Sequence, residues 1–151
     1  MIFLLDTNTC ILYLNGRAPS VRERLQQTPP SLITVCAVVK AELYAGAAKT
    51  QDPTRTRARQ ERFLSAFVSL PFDDAAADIY GDLRATLERA GTPIGAYDLQ
   101  IAAIALARDC TLVTHNTREF ARVPDLSLDD WEEAAQEEAA QEEATDVGMD
   151  L

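Results

Sequence analysis

Residues 1–8 read Met1-Ile2-Phe3-Leu4-Leu5-Asp6-Thr7-Asn8. The short apolar run at 2–5 suits a strand buried on both faces, because it is continuous rather than alternating. It stops at an acid. Thr7 or Asn8 can then cap a helix that continues through Leu14 and ends at Asn15-Gly16. A buried strand followed at once by a helix is the opening of a parallel α/β arrangement, and the rest of the chain repeats it.

A second short helix starts near Ser20 and is broken by Pro29-Pro30. Leu32 and Ile33 begin a second strand, and residues 35–48 read as a helix. Residues 54–67 read as a basic amphipathic helix and 68–72 as a third strand. Residues 74–90 place Ala76, Ile79, Tyr80, Leu83 and Leu87 at helical spacing, and Gly91-Thr92-Pro93 stops them. A helix over 96–108 turns Ile101, Ile104 and Ala105 inward. Residues 111–114 form a strand, 115–117 a turn, and 126–128 an edge strand. The alternation predicts an α/β fold with a central parallel sheet of four to five strands and helices on both faces. In such sheets, ligands bind at the carboxyl ends of the strands.

Four polar residues sit beside apolar runs rather than in solvated stretches: Asp6 after MIFLL, Glu42 within TVCAVVKAEL, Asp98 at the start of DLQIAAIALA and Asn116 after TLVTH. Acids at the ends of buried elements are costly unless neutralised. A hard divalent cation does this, and with open coordination positions it is also a catalyst for phosphodiester cleavage. A set without His or Cys favours magnesium, with manganese as the alternative, over zinc. Glu119 lies three residues beyond Asn116 and can reach the same place. Each position also has a structural reading: Asp6 as a helix N-cap, Glu42 as a solvent-facing helix residue, Asp98 as a first-turn acid on the helix dipole, Asn116 as a turn residue and Glu119 as a surface acid. His115, the single histidine, is left outside the catalytic set.

The chain has 151 residues, 47% of them hydrophobic, and a net charge of −10. That size and composition predict one domain with a real core. Neither a membrane span nor a signal peptide is read, so a cytoplasmic location is expected. Cys10, Cys36 and Cys110 lie in apolar contexts without metal spacing, which predicts buried free thiols. The negative charge is unevenly spread. Of 24 acids, eight lie in residues 132–150, where there are no bases, leaving 16 acids against 14 bases elsewhere. The domain, residues 1–131, is therefore nearly neutral. Residues 132–151 form an acidic Glu/Ala/Gln-rich tail with a five-residue repeat. Each repeat advances about 140° around a helix, so the acids spiral and no apolar stripe forms; a solvated helix or disorder is expected. Lys40 and Lys49, with Arg55, Arg57, Arg59 and Arg62 on the following helix, are candidates for contacting a phosphate backbone, set against an ordinary solvated face.

The segments LLDTNTCILYL, TVCAVVKAELYAGA, GTPIGAYDLQIAAIA and LVTHNTREFARVPDL resemble the four blocks of the PIN-domain ribonucleases, and most nearly the VapC toxins of bacterial toxin–antitoxin pairs. The resemblance covers residues 1–131. It implies a PIN-like three-layer sandwich and a magnesium-dependent endoribonuclease. Asp6, Glu42 and Asp98 match the catalytic acids, with Asp6 and Asp98 on the metal. Asn116 matches the fourth position, Glu119 a further acid of some members, and Thr7 a residue that bonds the first acid or a water. The family further implies a homodimer, an RNA substrate and a small inhibitory antitoxin. The TPIGAYD and NTREF patterns are similar to members that cut initiator tRNA. The apolar residues Leu25, Phe63 and Leu64 are read as exposed and available to a dimer.

Two other readings stay open. A non-toxin PIN nuclease in RNA processing would carry the same acids. A haloacid-dehalogenase-like phosphatase would use Asp6 as nucleophile, but needs a second acid two residues later, where this chain has Asn8.

Overall fold

The computed structural model describes residues 1–132. The acidic tail expected over 132–151 lies outside the described residues, apart from Glu132.

Five strands, β1 (Ile2–Leu5), β2 (Ile33–Cys36), β3 (Val68–Leu70), β4 (Cys110–Val113) and β5 (Leu128–Asp129), form one sheet in the order β3-β2-β1-β4-β5. Every neighbouring pair is parallel. The helices are α1 (Thr7–Asn15), α2 (Pro19–Gln27), α3 (Ala37–Ala48), α4 (Pro53–Leu64), α5 (Asp74–Arg89), α6 (Ala96–Ala107) and the single turn α7 (Thr117–Phe120). All residues of β2 and β4 are buried. Successive strand side chains point to opposite faces, so both faces of the sheet are covered by helices, as the continuous apolar runs require.

The boundaries that differ from the sequence reading have local causes. The second strand extends to Cys36, and its helix starts at Ala37 rather than 35. Thr34, Val35 and Cys36 pair with Val68, Ser69 and Leu70 of β3, so the ladder claims residues that a helical pattern also fits. The third strand stops at Leu70 because Pro71 has no N–H to continue the ladder. The last strand is Leu128–Asp129 rather than 126–128. Asp6 itself, not Thr7 or Asn8, caps α1, its Oδ1 accepting from the Thr9 N–H at 2.8 Å. Gly16 ends that helix at φ 64°, a left-handed conformation that glycine adopts without strain.

The core joins both layers. Leu4, Leu5, Val35, Ile101, Leu112 and Val113 are wholly enclosed. Leu64 belongs to this core at 2% exposure, which corrects its reading as a dimer residue. It is the last residue of α4 and points inward, while Leu25 and Phe63 remain partly exposed. Cys10, Cys36 and Cys110 are buried free thiols, as expected. Burial pushes the Cys36 thiol up to about 11, so it stays protonated at neutral pH. No helix among the described residues is long and apolar enough to cross a membrane.

Trp131 closes the sheet. It packs edge-on against Phe3 at 5.4 Å, and its Nε1 donates to Asp129 Oδ2 at 3.0 Å. Arg24 donates to the same carboxylate at 3.1 Å and lies 5.2 Å from the indole centroid. Removing a buried indole of this kind costs about 3–5 kcal/mol. Trp131→Ala should therefore shift the urea midpoint strongly downward; an unchanged midpoint would mean that the indole contributes nothing to the core.

Candidate active site

The carboxyl ends of β1, β4 and β5 lie side by side, and each strand is followed by polar residues. Asp6 follows β1. Its N–H donates to Val113 O at 3.0 Å, which extends the ladder by one residue and fixes its backbone. Thr114, His115 and Asn116 follow β4, and Asp130 follows β5. Glu42 comes from the middle of α3 and Asp98 from the first turn of α6.

Electrostatics reveals how these groups meet. Burial raises the Asp6 carboxyl above its ordinary 3.8; the Thr114 and Thr9 groups beside it partly offset this, and Asp130 adds to it. Burial also raises Glu42, the Thr7 hydroxyl lowers it, and the charge of Asp6 raises it again. Neither Glu42 Oε1 nor Thr7 Oγ1 has a hydrogen-bond partner of good geometry among the described residues. Asp98 is pushed up to about 6, first by burial and then by Glu119, Glu42 and Asp6. Four carboxylates thus share one region, with Asp98 feeling all three of the others. Asn116 joins them indirectly. Its Nδ2 donates to Glu119 Oε2 at 2.7 Å, and its backbone N–H donates to Thr114 Oγ1 at 3.0 Å.

Two residues of this region are absent from the sequence reading. Asp130 is close enough to raise Asp6, and it lies 2.9 Å from His115 Nδ1. Thr114 is fully buried against the same acid. Asp130 follows a two-residue β5 that is too short to announce itself, and Thr114 falls within the predicted strand 111–114, whereas β4 spans Cys110–Val113 and leaves Thr114 just beyond its end.

The basic candidates stand elsewhere, on α3 and α4. Lys49 and Arg55 are exposed and Lys40 is half-buried. Arg57 is engaged locally: its Nε donates to Glu61 at 2.9 Å, and its guanidinium lies 3.3 Å from the Tyr44 ring centroid. Arg59 donates to Leu14 O at 2.8 Å. The structure therefore gathers Asp6, Thr7, Glu42, Asp98, Asn116 and Glu119; of the basic residues, Arg59 lines a cavity together with Glu42, while Lys49 and Arg55 lie on the exposed surface.

A PIN-domain family model matches residues 3–126. The chain belongs to the PIN-domain family. Within it the curated relatives are VapC proteins. One from Salmonella typhimurium, described as a tRNA(fMet)-specific endonuclease, is 40% identical over 85% of this chain and 97% of its own. One from Shigella flexneri with the same description is 43% identical over the same shares. Among solved structures, the DNA-bound VapBC complex of Salmonella typhimurium superposes with a TM-score of 0.82 at 40% identity, covering 87% of this chain and 98% of that one. VapBC2 of Rickettsia felis, bound to a promoter DNA fragment, gives 0.80 at 35% identity, covering 87% and 99%. This PIN chain is thus a VapC-type nuclease of a toxin–antitoxin family, and the resemblance read from its four sequence blocks holds.

The acids fit a hard divalent cation. They offer only oxygen donors, one of them buried and unpartnered, and their mutual repulsion is the kind a cation relieves. Among the described residues no three His, Cys, Asp or Glu side chains already converge as a ligand shell. Magnesium needs no such shell, since it binds through one or two carboxylates and keeps several waters.

Without a cation the repulsion should cost stability in a pH-dependent way. Asp98 has a folded-state value of about 6 against an ordinary 3.8, so the folded protein binds the extra proton between these values. The stabilisation from Asp98 is fully present below pH 4 and is lost as the pH rises through 6. After allowance for its half-exposed position this amounts to ~1 kcal/mol, or about 3 °C in a domain of this size. In EDTA at pH 7.5, Asp98→Asn should melt above the parent protein, with the gap closing near pH 4. A gap that is independent of pH would show that burial and the neighbouring acids do not raise the Asp98 carboxyl.

Proposed function

We propose that the acid cluster makes this VapC-type chain a magnesium-dependent endoribonuclease, with Asp6, Glu42, Asp98 and Asn116 as its catalytic residues. The observation that carries this reading is the mutual electrostatic influence of four carboxylates near the carboxyl edge of the sheet, where Asp98 is held near 6 by burial and its neighbours. A cation relieves such mutual repulsion at neutral pH, where protonation is incomplete.

Asp6 and Asp98 hold the ion. A bound magnesium or manganese would supply an activated water and neutralise the charge of the scissile phosphate. Asp6 Oδ1 caps α1, which fixes the orientation of the carboxylate for this task. Glu42 presents its unpartnered Oε1 to a water, and the neighbouring Thr7 hydroxyl is a donor beside it. Asn116 is held by Glu119 and orients a water or phosphate oxygen without adding negative charge. Glu119 thereby serves as a positioning acid.

The substrate in this reading is RNA, and the Salmonella and Shigella relatives favour initiator tRNA. The basic residues Lys40, Lys49, Arg55 and Arg57 lie on the surface that the RNA backbone follows. A small antitoxin is the natural protein partner, as in the related VapBC complexes; a basic side chain set against the acids would block them through charge-assisted bonds. The nuclease is residues 1–131, residues 132–151 are a separate acidic tail, the location is the cytoplasm, and Leu25 and Phe63 are apolar positions available to a homodimer.

Asp98→Asn should retain the fold and lose at least ~100-fold of magnesium-dependent cleavage, since even groups behind metal ligands are worth 10–100-fold. Full activity of this variant in a gel assay would remove Asp98 from the site. Arg55→Ala together with Arg57→Ala should flatten the salt dependence of RNA binding, by roughly 0.7 in log–log slope for each phosphate that is no longer neutralised. An unchanged slope would place the RNA on another surface.

A further inference from the structure

The rim of the acid cluster carries a feature that the metal chemistry does not use. Tyr97, at the start of α6, is 64% exposed and stands directly before Asp98. It borders a cavity of about 290 Å³ between α3 and α6, close to the lower bound, roughly 300 Å³, of small-ligand sites. On the α3 side, Ala37, Ala41 and Ala45 line this cavity beside Val38 and Glu42. They recur every fourth residue and so share one face, whose short side chains leave room for something flat. Gln100, three residues after Tyr97 and on the same face of α6, adds an amide. Glu42 lines the cavity as well as belonging to the acid cluster, so the cavity adjoins the cluster through this side chain.

We propose that Tyr97 and this cavity form a nucleobase subsite, in which the base of a nucleotide flanking the scissile phosphate stacks on the Tyr97 ring with its edge toward Gln100. The inference rests on the ribonuclease reading of the acid cluster. A phosphate neutralised by a cation on the acids would bring its own nucleoside to the adjoining wall. Single-stranded RNA is commonly held by stacking unpaired bases on aromatic rings, and a Gln amide can both donate to and accept from a base edge. An exposed tyrosine is the one large aromatic surface lining this cavity. Tyr97 is then a positioning residue: it fixes the nucleotide, and the acids act on the phosphate.

Two measurements test this. In cleavage assays with magnesium, Tyr97→Ala should raise KM for a single-stranded oligoribonucleotide about tenfold, within the range that base stacking supplies, while melting temperature stays unchanged. Tyr97→Phe should restore KM, because stacking does not need the hydroxyl. An abasic nucleotide beside the cleaved bond should cost the parent protein about tenfold and Tyr97→Ala nothing further. Binding is read separately with an oligoribonucleotide carrying 2-aminopurine, in the Asp98→Asn background: stacking should quench its fluorescence, and adding Tyr97→Ala should abolish the quench. An unaltered KM, an equal abasic penalty in both proteins, or no quench would overturn the subsite. So would a change in sedimentation of Tyr97→Ala that accounts for its activity, which would make Tyr97 a subunit contact. If quenching is seen but the parent protein does not cleave RNA, the ribonuclease reading fails and the base site stands.

Discussion

The double pairing of β1 governs the molecule. β1 lies at the centre of the sheet, bonded to β2 on one side and β4 on the other. The Asp6 N–H extends the β4 side of that ladder by one residue. A carboxylate is therefore set at the end of the central strand, with its backbone tied to β4 and one oxygen tied to α1. Because every strand is parallel, each returns its chain to the same edge, and the segments after β1, β4 and β5 are gathered around Asp6 by topology alone. α3 and α6 then add Glu42 and Asp98 from the helical layers.

The arrangement is electrostatically unfavourable in itself. Burial opposes ionisation at Asp6, Glu42 and Asp98, and each neighbouring acid makes it worse. The start of α6 opposes this trend, since first-turn carboxylates interact well with a helix N-terminus. Even so, Asp98 stays raised, so desolvation and like charge outweigh the dipole. A domain with a well-filled core can carry such a site; its stabilisation comes from the sheet, from the helices over it and from Trp131. A stable frame carrying a locally conflicted edge is the pattern that functional sites show.

The surface follows a similar division. The net charge of −10 arises mainly from residues 132–150 and says little about the domain that does the chemistry. On the domain, several arginines already have partners, such as Arg57 with Glu61 and Tyr44 and Arg108 with Asp73. Only part of the positive charge counted in the sequence is thus open to a polyanion, and Lys49 and Arg55 are among the exposed remainder.

The alternation of apolar runs with helical periods was enough to predict the parallel α/β fold, because a strand buried on both faces has no polar face to hide its pattern. The acids at Asp6, Glu42 and Asp98 were legible for the same reason: a charge beside a continuous apolar run must be accounted for. Tertiary structure decided what depends on pairing and proximity. The end of β2 at Cys36 was set by its register with β3, and β5 exists only because Leu128 and Asp129 find β4. Leu64, read as an exposed residue, proved to be core, because the last turn of α4 rotates it inward. Asp130 and Thr114 beside Asp6, the tie between Asn116 and Glu119, and the cavity next to Tyr97 were likewise invisible in one dimension. Hydrophobic period is a local property written along the chain, whereas electrostatic neighbourhood depends on which distant strand ends the sheet brings together.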